Sequence, residues 1–581
     1  MTWPRPIAWG VVAAAALLFA VATPPVRATF PFPKGGGDPY DYTKLRLRDG
    51  ACPPSPTSDL PKGFDCRTEA RLTDYAARPG DADYDPTVAN NPQELFGVKG
   101  AGTNRAWEVT TGRPDTLIAV LDSGIEWDLK TPELVNKFHL NTGELPVPGT
   151  ALRSKDWRAY DVNHDGVFNV ADYAADSRAR DFTDDGNEYL DPGDLIRRFS
   201  DGKDDDGNGY ADDISGWDYY ENDNNPADDV TYGHGTGESR DSAAEIETRV
   251  TQCPNCTLVE LRVGDSFVAD VNHFAEAVTY AVDNGVSVVQ EALGTVNHTA
   301  FAQDAVDYAY RNGVLVVASA ADESAGHHNW PAALGHTMVV NSLTHFAEES
   351  GAALETPKTY LAFNGCTNFG AYIWVAVASN SCSSDATGQS SGVAGLVYSA
   401  ARNAVDKHLM KSDASGQPLS AEEAKQLFRL GALDVDFSTP RPPFPPNNFT
   451  TTLPASQRFV TTAGWDQITG FGRLSSAAAV VLAGAGHIPP EADITAPRWW
   501  RSLPLNGRID IEGRVAAPRA SRYTYEVATA PGVQPPRWPL NDTWTTAAAG
   551  SATGPKSGVL ATLDMSAVRA AIAAAPPVYT A

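Results

Sequence analysis

Basic residues are in short supply in this chain. Its 581 residues include 45 lysines and arginines against 72 aspartates and glutamates, a formal charge of −27. Nucleic acid and anionic membrane surfaces attract basic patches, so neither is expected as a partner. Long apolar runs are lacking as well. Beyond the N-terminus no stretch approaches twenty apolar residues, which leaves no candidate for a membrane-crossing helix. The plentiful glycine and proline follow no repeat period, which excludes a fibre. What remains is a globular chain too long for one core, with two to four domains expected.

Residues 1–28 read as a secretory signal, with Arg5 as the charge, 11–21 as the apolar core and Val26-Arg-Ala28 as a small-residue cleavage site. The expected location is therefore secreted or periplasmic. Export makes the six cysteines expected disulfides, and sequence neighbours suggest Cys52 with Cys66, Cys253 with Cys256 and Cys366 with Cys382. Cys253-Pro-Asn-Cys256 also fits a redox or zinc pair, though no second pair accompanies it. Residues 29–94, rich in Pro, Asp and Gly, read as an extended arm.

Residues 117–121 form an unbroken apolar run of strand length that ends in Asp122-Ser-Gly. Such a run suits a parallel strand buried on both faces, and chemistry in open α/β sheets gathers at the carboxyl edge where Asp122 stands. A helix-capping aspartate is the alternative. Apolar strands at 286–289 and 313–318, spaced by helical stretches 271–284 and 301–311, continue a βαβα rhythm. The fold class expected is α/β, a mostly parallel sheet flanked by helices. His234, between two glycines, opens a helix expected over 236–247. After Pro489-Pro490 the alternating runs 507–513 and 521–527 have β-sandwich texture, so a β-rich accessory domain is expected over 495–581.

Between 156 and 229 there are 22 acidic residues against 6 basic ones. Such a surplus calls for cations or disorder. Asp161, Asn163, Asp165, Gly166, the Val167 carbonyl, Asn169 and Asp172 fall at positions 1, 3, 5, 6, 7, 9 and 12 of an EF-hand-type loop. Aspartate at position 12, where glutamate usually chelates with both oxygens, weakens that site. A second set is Asp204, Asp206, Asn208, the Tyr210 carbonyl, Asp212 and Asp213, and 181–191 is a looser third. A solvated acidic loop is the bland alternative; the spacing favours structural calcium that clamps a long insertion.

Several motifs now converge. Asp122-Ser-Gly, Thr131-Pro-Glu-Leu134, the acidic stretch 204–217 with Asn224-Asn-Pro226, Gly233-His-Gly-Thr236, Leu293-Gly294, Val393-Ala-Gly-Leu396 and Gly470-Phe-Gly-Arg-Leu474 together resemble the subtilisin-like serine protease family, over about residues 95–485. The resemblance implies a peptide or protein substrate, a serine hydroxyl whose proton passes to His234, a ring oriented by Asp122, and a first substrate pocket lined by Leu293 and Gly294.

The departures cluster on the chemistry. Counting back from Val393-Ala-Gly395, the family's nucleophile falls on Thr387, and its oxyanion asparagine falls on Asp322. Glu238, Ser239 and Arg240 replace small apolar residues after the histidine, and Gln290-Glu291 replaces a neutral pair. The expectation is a secreted endopeptidase by family with activity weakened or lost. Two further readings stand beside it: an inactive peptide- or protein-binding module, and an acid-active enzyme similar to the sedolisins, since His234 and Glu238 are four apart on one helix face. Protonated Asp322 would donate to an oxyanion, so residual activity is expected on the acid side of neutrality.

Overall fold

The computed structural model describes residues 101–574 apart from internal stretches, the longest being 345–361, 436–460 and 531–543. The signal segment, the 29–94 arm, the Cys52–Cys66 pairing and parts of the 131–134 and 181–191 segments lie outside the described residues.

The central strand is β1 (Leu117–Asp122). Around it stand β2 (Trp217–Asp218), β3 (Thr257–Arg262), β4 (Val288–Glu291), β5 (Leu315–Ser319), β6 (Met338–Thr344), β7 (Ala362–Phe363) and β8 (Ile373–Ala378). Their order is β2-β3-β1-β4-β5-β6-β7, with β8 also on β6. Every described pairing is parallel except β6 with β7. Ile118 and Val120 point into one core, Leu117, Ala119 and Leu121 into another. That alternation is why the run is apolar throughout: period-2 geometry sends successive side chains to opposite faces, and both faces are covered.

The helices are α1 (Thr103–Ala106), α2 (Pro192–Phe199), α3 (His234–Ala243), α4 (Val271–Asp283), α5 (Ala300–Arg311), α6 (Ser383–Asp406), α7 (Ala421–Gly431) and α8 (Ser476–Gly484). One core packs Val393, Leu396 and Val397 of α6 against the sheet; the other packs Phe274 and Val278 of α4 and Val306 of α5. Asp270 and Thr299 cap α4 and α5, each accepting an amide of the first turn. The chain leaves β1 for β3 on one side and reaches β4 on the other, so Asp122 ends the strand at which the winding reverses.

Beyond α8 the expected β-rich unit begins with β9 (Glu491–Ala496), followed by β10 (Arg508–Ala516), β11 (Tyr523–Thr529), β12 (Thr545–Ala552), β13 (Lys556–Asp564) and α9 (Met565–Ala574). Two antiparallel sheets, β13-β10-β9 and β11-β12, enclose a small core of Val515, Tyr523 and Leu560. Polar contacts join it to the larger unit. Arg519 forms a fork on Glu423 of α7, at 2.8 and 2.7 Å, and Arg514 pairs with Glu491, which also accepts from Ser420 at 2.6 Å. His336 bridges Asp307 at 2.8 Å and Asp493 of β9 at 3.0 Å. Among the described residues no helix is long and apolar enough to cross a membrane.

Candidate active site

Two glycines bring His234 to Asp122. Gly233 holds a left-handed φ of 77° just before α3, and at Gly235 a Cβ would stand 2.3 Å from the Gly124 carbonyl oxygen. Only the missing side chain lets the first turn of α3 rest on the loop after β1. His234 Nδ1 then lies 2.7 Å from Asp122 Oδ1, which also accepts from the Ser123 amide at 2.7 Å. Tyr232 stacks on the imidazole with centroids 5.6 Å apart. Burial alone would lower the pKa of His234, but the Asp122 charge and hydrogen bond outweigh it and lift the ring to about 9. The capping alternative for Asp122 does not describe this geometry.

The start of α6 packs against α3, with Gly388 beside Glu238 and Asp241, and α6 begins one turn before Thr387. Thr387 is fully buried, and its hydroxyl donates back to the Ser383 carbonyl at 2.8 Å. Ser384 is in the first turn, half-buried, its hydroxyl 3.3 Å from the carbonyl oxygen of Ala292 at the head of Leu293-Gly294. Ser383 turns the other way: its amide and hydroxyl both donate to Asp322 Oδ1, at 2.9 and 2.5 Å. Cys382, the residue before the helix, supplies no side-chain cap. Asp322, remote in sequence, supplies it instead, and Asp385 in the first turn suits the positive end of the helix dipole.

The helix offers a second register, which points to Ser384. Ser391-Gly392 repeats, three residues earlier, the small-residue-plus-glycine step of Ala394-Gly395. Gly395 lies close against Cys256 and Ile118, and a Cβ at Gly392 would stand 2.4 Å from the Ser242 carbonyl oxygen, so both are close-packing positions. Counting from Gly392 lands on Ser384, with the hydroxyl of Ser383 before it.

Carboxyl groups crowd the floor. Glu238, on α3 one turn after His234, is buried; it accepts from Gln290 Nε2 at 3.1 Å, and burial pushes its carboxyl up to about 8. Gly388 leaves it room, since a Cβ there would meet Glu238 Oε2 at 2.9 Å. Burial also raises Glu260, Glu291 and Asp322. Leu293 is buried and Gly294 abuts the Asn329 amide, 2.9 Å from where a Cβ would be.

In the acidic insertion, the 161–172 loop closes on itself. Asp161 accepts from the amides of Asp165 and Gly166, while Asp165 accepts from the Val167 amide and Asn163 Nδ2. Asn169 caps a short helical turn, and Asp172 accepts from the amides of Val162, Asn163 and Asn169. In the second loop Asp204 and Asp206 come together with Glu144, which sequence spacing did not single out, their oxygens within 4.8 Å of one another. Glu144 Oε2 is buried with no protein partner, and three carboxylates form the hard-oxygen set a calcium ion takes. Asp213 instead accepts from Tyr280 and Asn208, at 2.7 and 2.8 Å, and Asp212 from the Asp201 and Gly202 amides. The Tyr210 ring packs against Trp217 and Tyr280. Two of the expected disulfides, Cys253–Cys256 and Cys366–Cys382, are formed, which disposes of zinc and a free dithiol at 253–256.

A sheet that reverses its winding at an aspartate, paired to a histidine at the start of a glycine-flanked helix, defines a class of hydrolase scaffold. The chain belongs to the subtilase family, peptidase family S8, whose model matches residues 113–472. It is 30% identical to thermitase of Thermoactinomyces vulgaris over 200 residues, 33% of this chain and 69% of that one. It is 28% identical to a halolysin-like extracellular serine protease of Natrialba magadii over 190 residues, 32% of this chain and 35% of the relative. Among solved structures, a lanthipeptide protease is similar at 17% identity and a TM-score of 0.37, with 67% of this chain and 94% of that one covered. Sphericase is similar at 15% identity and a TM-score of 0.36, with 65% and 98% covered.

Proposed function

We propose that this chain is an exported serine endopeptidase in which Ser384, rather than Thr387, is the nucleophile. The observation that carries the reading is the Asp122–His234 pair at 2.7 Å, set at the carboxyl edge of the sheet opposite a helix whose first turn holds a half-buried serine hydroxyl. In this reading neutral His234 takes the Ser384 proton as the hydroxyl attacks a peptide carbonyl, and Asp122 fixes the tautomer and stabilises the imidazolium. The leaving amine takes the same proton, and water repeats the cycle on the acyl-enzyme. Thr387 is a poor alternative, since its hydroxyl is enclosed and engaged with its own helix.

Asp322 remains the weak point. Its carboxylate accepts the Ser383 amide and hydroxyl, where an amide side chain would donate to a forming oxyanion, and a lost oxyanion donor costs roughly a hundred- to a thousandfold in rate. That contact also supports a second reading, an inactive peptide-binding module. Peptide or protein segments are the ligand in either case, laid along Ala292-Leu293-Gly294. Export follows from the N-terminal segment and fits the extracellular relative. Calcium would be held by Glu144, Asp204 and Asp206 and would supply structural clamping of the insertion, with the 161–172 loop as a second, weaker position.

The test is covalent labelling with a fluorophosphonate, then peptide mapping, in calcium buffer across the neutral to alkaline range. The label is expected on Ser384. Label on Thr387 would overturn the assignment, and no label on folded protein would hand the site to the binding reading.

A further inference from the structure

The loop bearing Asp322 is a strained piece of backbone. Ala321 and Ser324 on either side of it hold φ of 66° and 57°, a left-handed conformation that residues with a Cβ avoid unless their surroundings impose it. The Ser319 hydroxyl accepts from the Ala321 amide at 3.1 Å, and a larger set of contacts comes from one short segment, 364–369. Asn368 is fully buried, and its backbone amide and both polar atoms of its side chain face this loop. Its amide donates to the Ala321 carbonyl at 2.8 Å, and Nδ2 donates to the Ala320 carbonyl at 3.0 Å and to the Glu323 carboxylate. Its Oδ1 accepts from the amides of Glu323 and Ala325, both at 3.1 Å. Phe369 adds an amide bond to the Ala325 carbonyl at 3.1 Å.

The other end of the same segment is tied to the nucleophile's helix. Asn364 Nδ2 donates to the Ser381 carbonyl at 2.5 Å, and Cys366 is bonded to Cys382, the residue that immediately precedes Ser383 and Ser384. Six residues thus span from the start of α6 to the loop of Asp322. Both half-cystines are half-buried, whereas Cys253 and Cys256 are wholly enclosed.

We propose that segment 364–369 is a strap that positions Ser384 and the Asp322 loop relative to one another, and that thiols release it at the Cys366–Cys382 bond. This rests on Ser384 as the nucleophile. Asn368, Cys366 and Cys382 are positioning residues, acting through the Asp322 loop and the start of α6. In release, a thiolate of an external dithiol attacks one sulfur and expels the other as thiolate. The reagent's second thiol then displaces the first cysteine, leaving two cysteine thiols and an oxidised cyclic dithiol; the two electrons come from the reagent. Entropy lost by the free segment in the closed form then has no covalent support, and a misplacement of the hydroxyl by a fraction of an ångström to an ångström lowers turnover by on the order of ten- to a hundredfold.

The experiment compares the full chain with Cys366→Ser/Cys382→Ser and with Asn368→Ala, using a peptide substrate and hydrogen exchange of the backbone. Both variants are expected to lose kcat by on the order of tenfold or more with KM within about twofold. Dithiothreitol should produce the same loss in the parent, reversible on reoxidation, and no further loss in the double serine variant. Exchange should quicken at 320–325 and 383–386 and stay slow in β1 and β4. Unchanged kcat with unchanged exchange would overturn the strap, and so would exchange that quickens through the whole sheet, which marks a merely structural crosslink. Should the parent neither hydrolyse peptide nor take up fluorophosphonate, the Ser384 reading fails while exchange at these two segments still decides the strap.

Discussion

At the level of single residues, Ser384 and Thr387 differ in accessibility more than in chemistry. Ser384→Ala should abolish fluorophosphonate labelling and reduce hydrolysis by on the order of a millionfold, while Thr387→Val, which loses a hydroxyl bonded only to its own helix, should leave labelling on Ser384 intact. The pH profile follows from His234. Only the neutral ring is a base, and its partner Asp122 lifts its pKa to about 9. The initial rate should therefore rise with pH through about 9, the opposite of the acid-side expectation drawn from Asp322 alone. Asp322 and Glu238 each add negative charge that favours the protonated ring. Asp322→Asn should thus move the midpoint of the profile to lower pH and, by turning an acceptor into a donor, raise kcat by roughly tenfold to a hundredfold. A kcat/KM profile of the two proteins over the neutral to alkaline range checks both statements, and an unshifted midpoint would sink the second.

Elements differ in how plainly they could be read. β1, α4 and α5 were legible because each carries its own signal: an apolar run for a strand covered on both faces, and amphipathic stretches with a capping Asp270 and Thr299. The start of α6 was not, since its cap, Asp322, lies 61 residues away and its two packing glycines, Gly392 and Gly395, offer two registers. The acidic insertion was legible in its charge but only partly in its geometry. Spacing named Asp204 and Asp206, whereas Glu144 reaches them from 60 residues earlier in the chain and brings an orphaned oxygen. Chelator should lower the melting temperature of the insertion-bearing unit, and Glu144→Gln should remove part of that response. At calcium about 100 times Kd the ion's contribution would be about 2.7 kcal/mol; identical melting curves with and without chelator would rule it out.

For the molecule as a whole, one of the contacts between the two units runs through a titrating residue. His336 sits between Asp307 and Asp493, and although burial opposes its charge, the two carboxylates raise it to about 9. A ring whose folded pKa exceeds its unfolded value contributes stability that is fully present below about 6.5 and is lost as pH rises through about 9. Replacing His336 with Ala should therefore lower the melting temperature by about 2–4 °C at pH 6, with the difference between variant and parent closing near pH 10. Differential scanning calorimetry of the full chain at the two pH values measures it; a difference independent of pH would mean that the charge on His336 does not hold this contact.

Local sequence determined the sheet, its parallel sense and the acidic character of the insertion, because periodicity and charge act within a few residues; the pairing of Asp122 with His234, 112 residues apart, was implied only by the family motifs. Tertiary structure alone decided how Thr387 is buried, which carboxylate completes the Glu144 cluster and which segment hydrogen-bonds the Asp322 loop. Each of those depends on groups brought together from distant parts of the chain, and neither a hydrogen bond across 61 residues nor the burial of Thr387 leaves a mark in the spacing of neighbours.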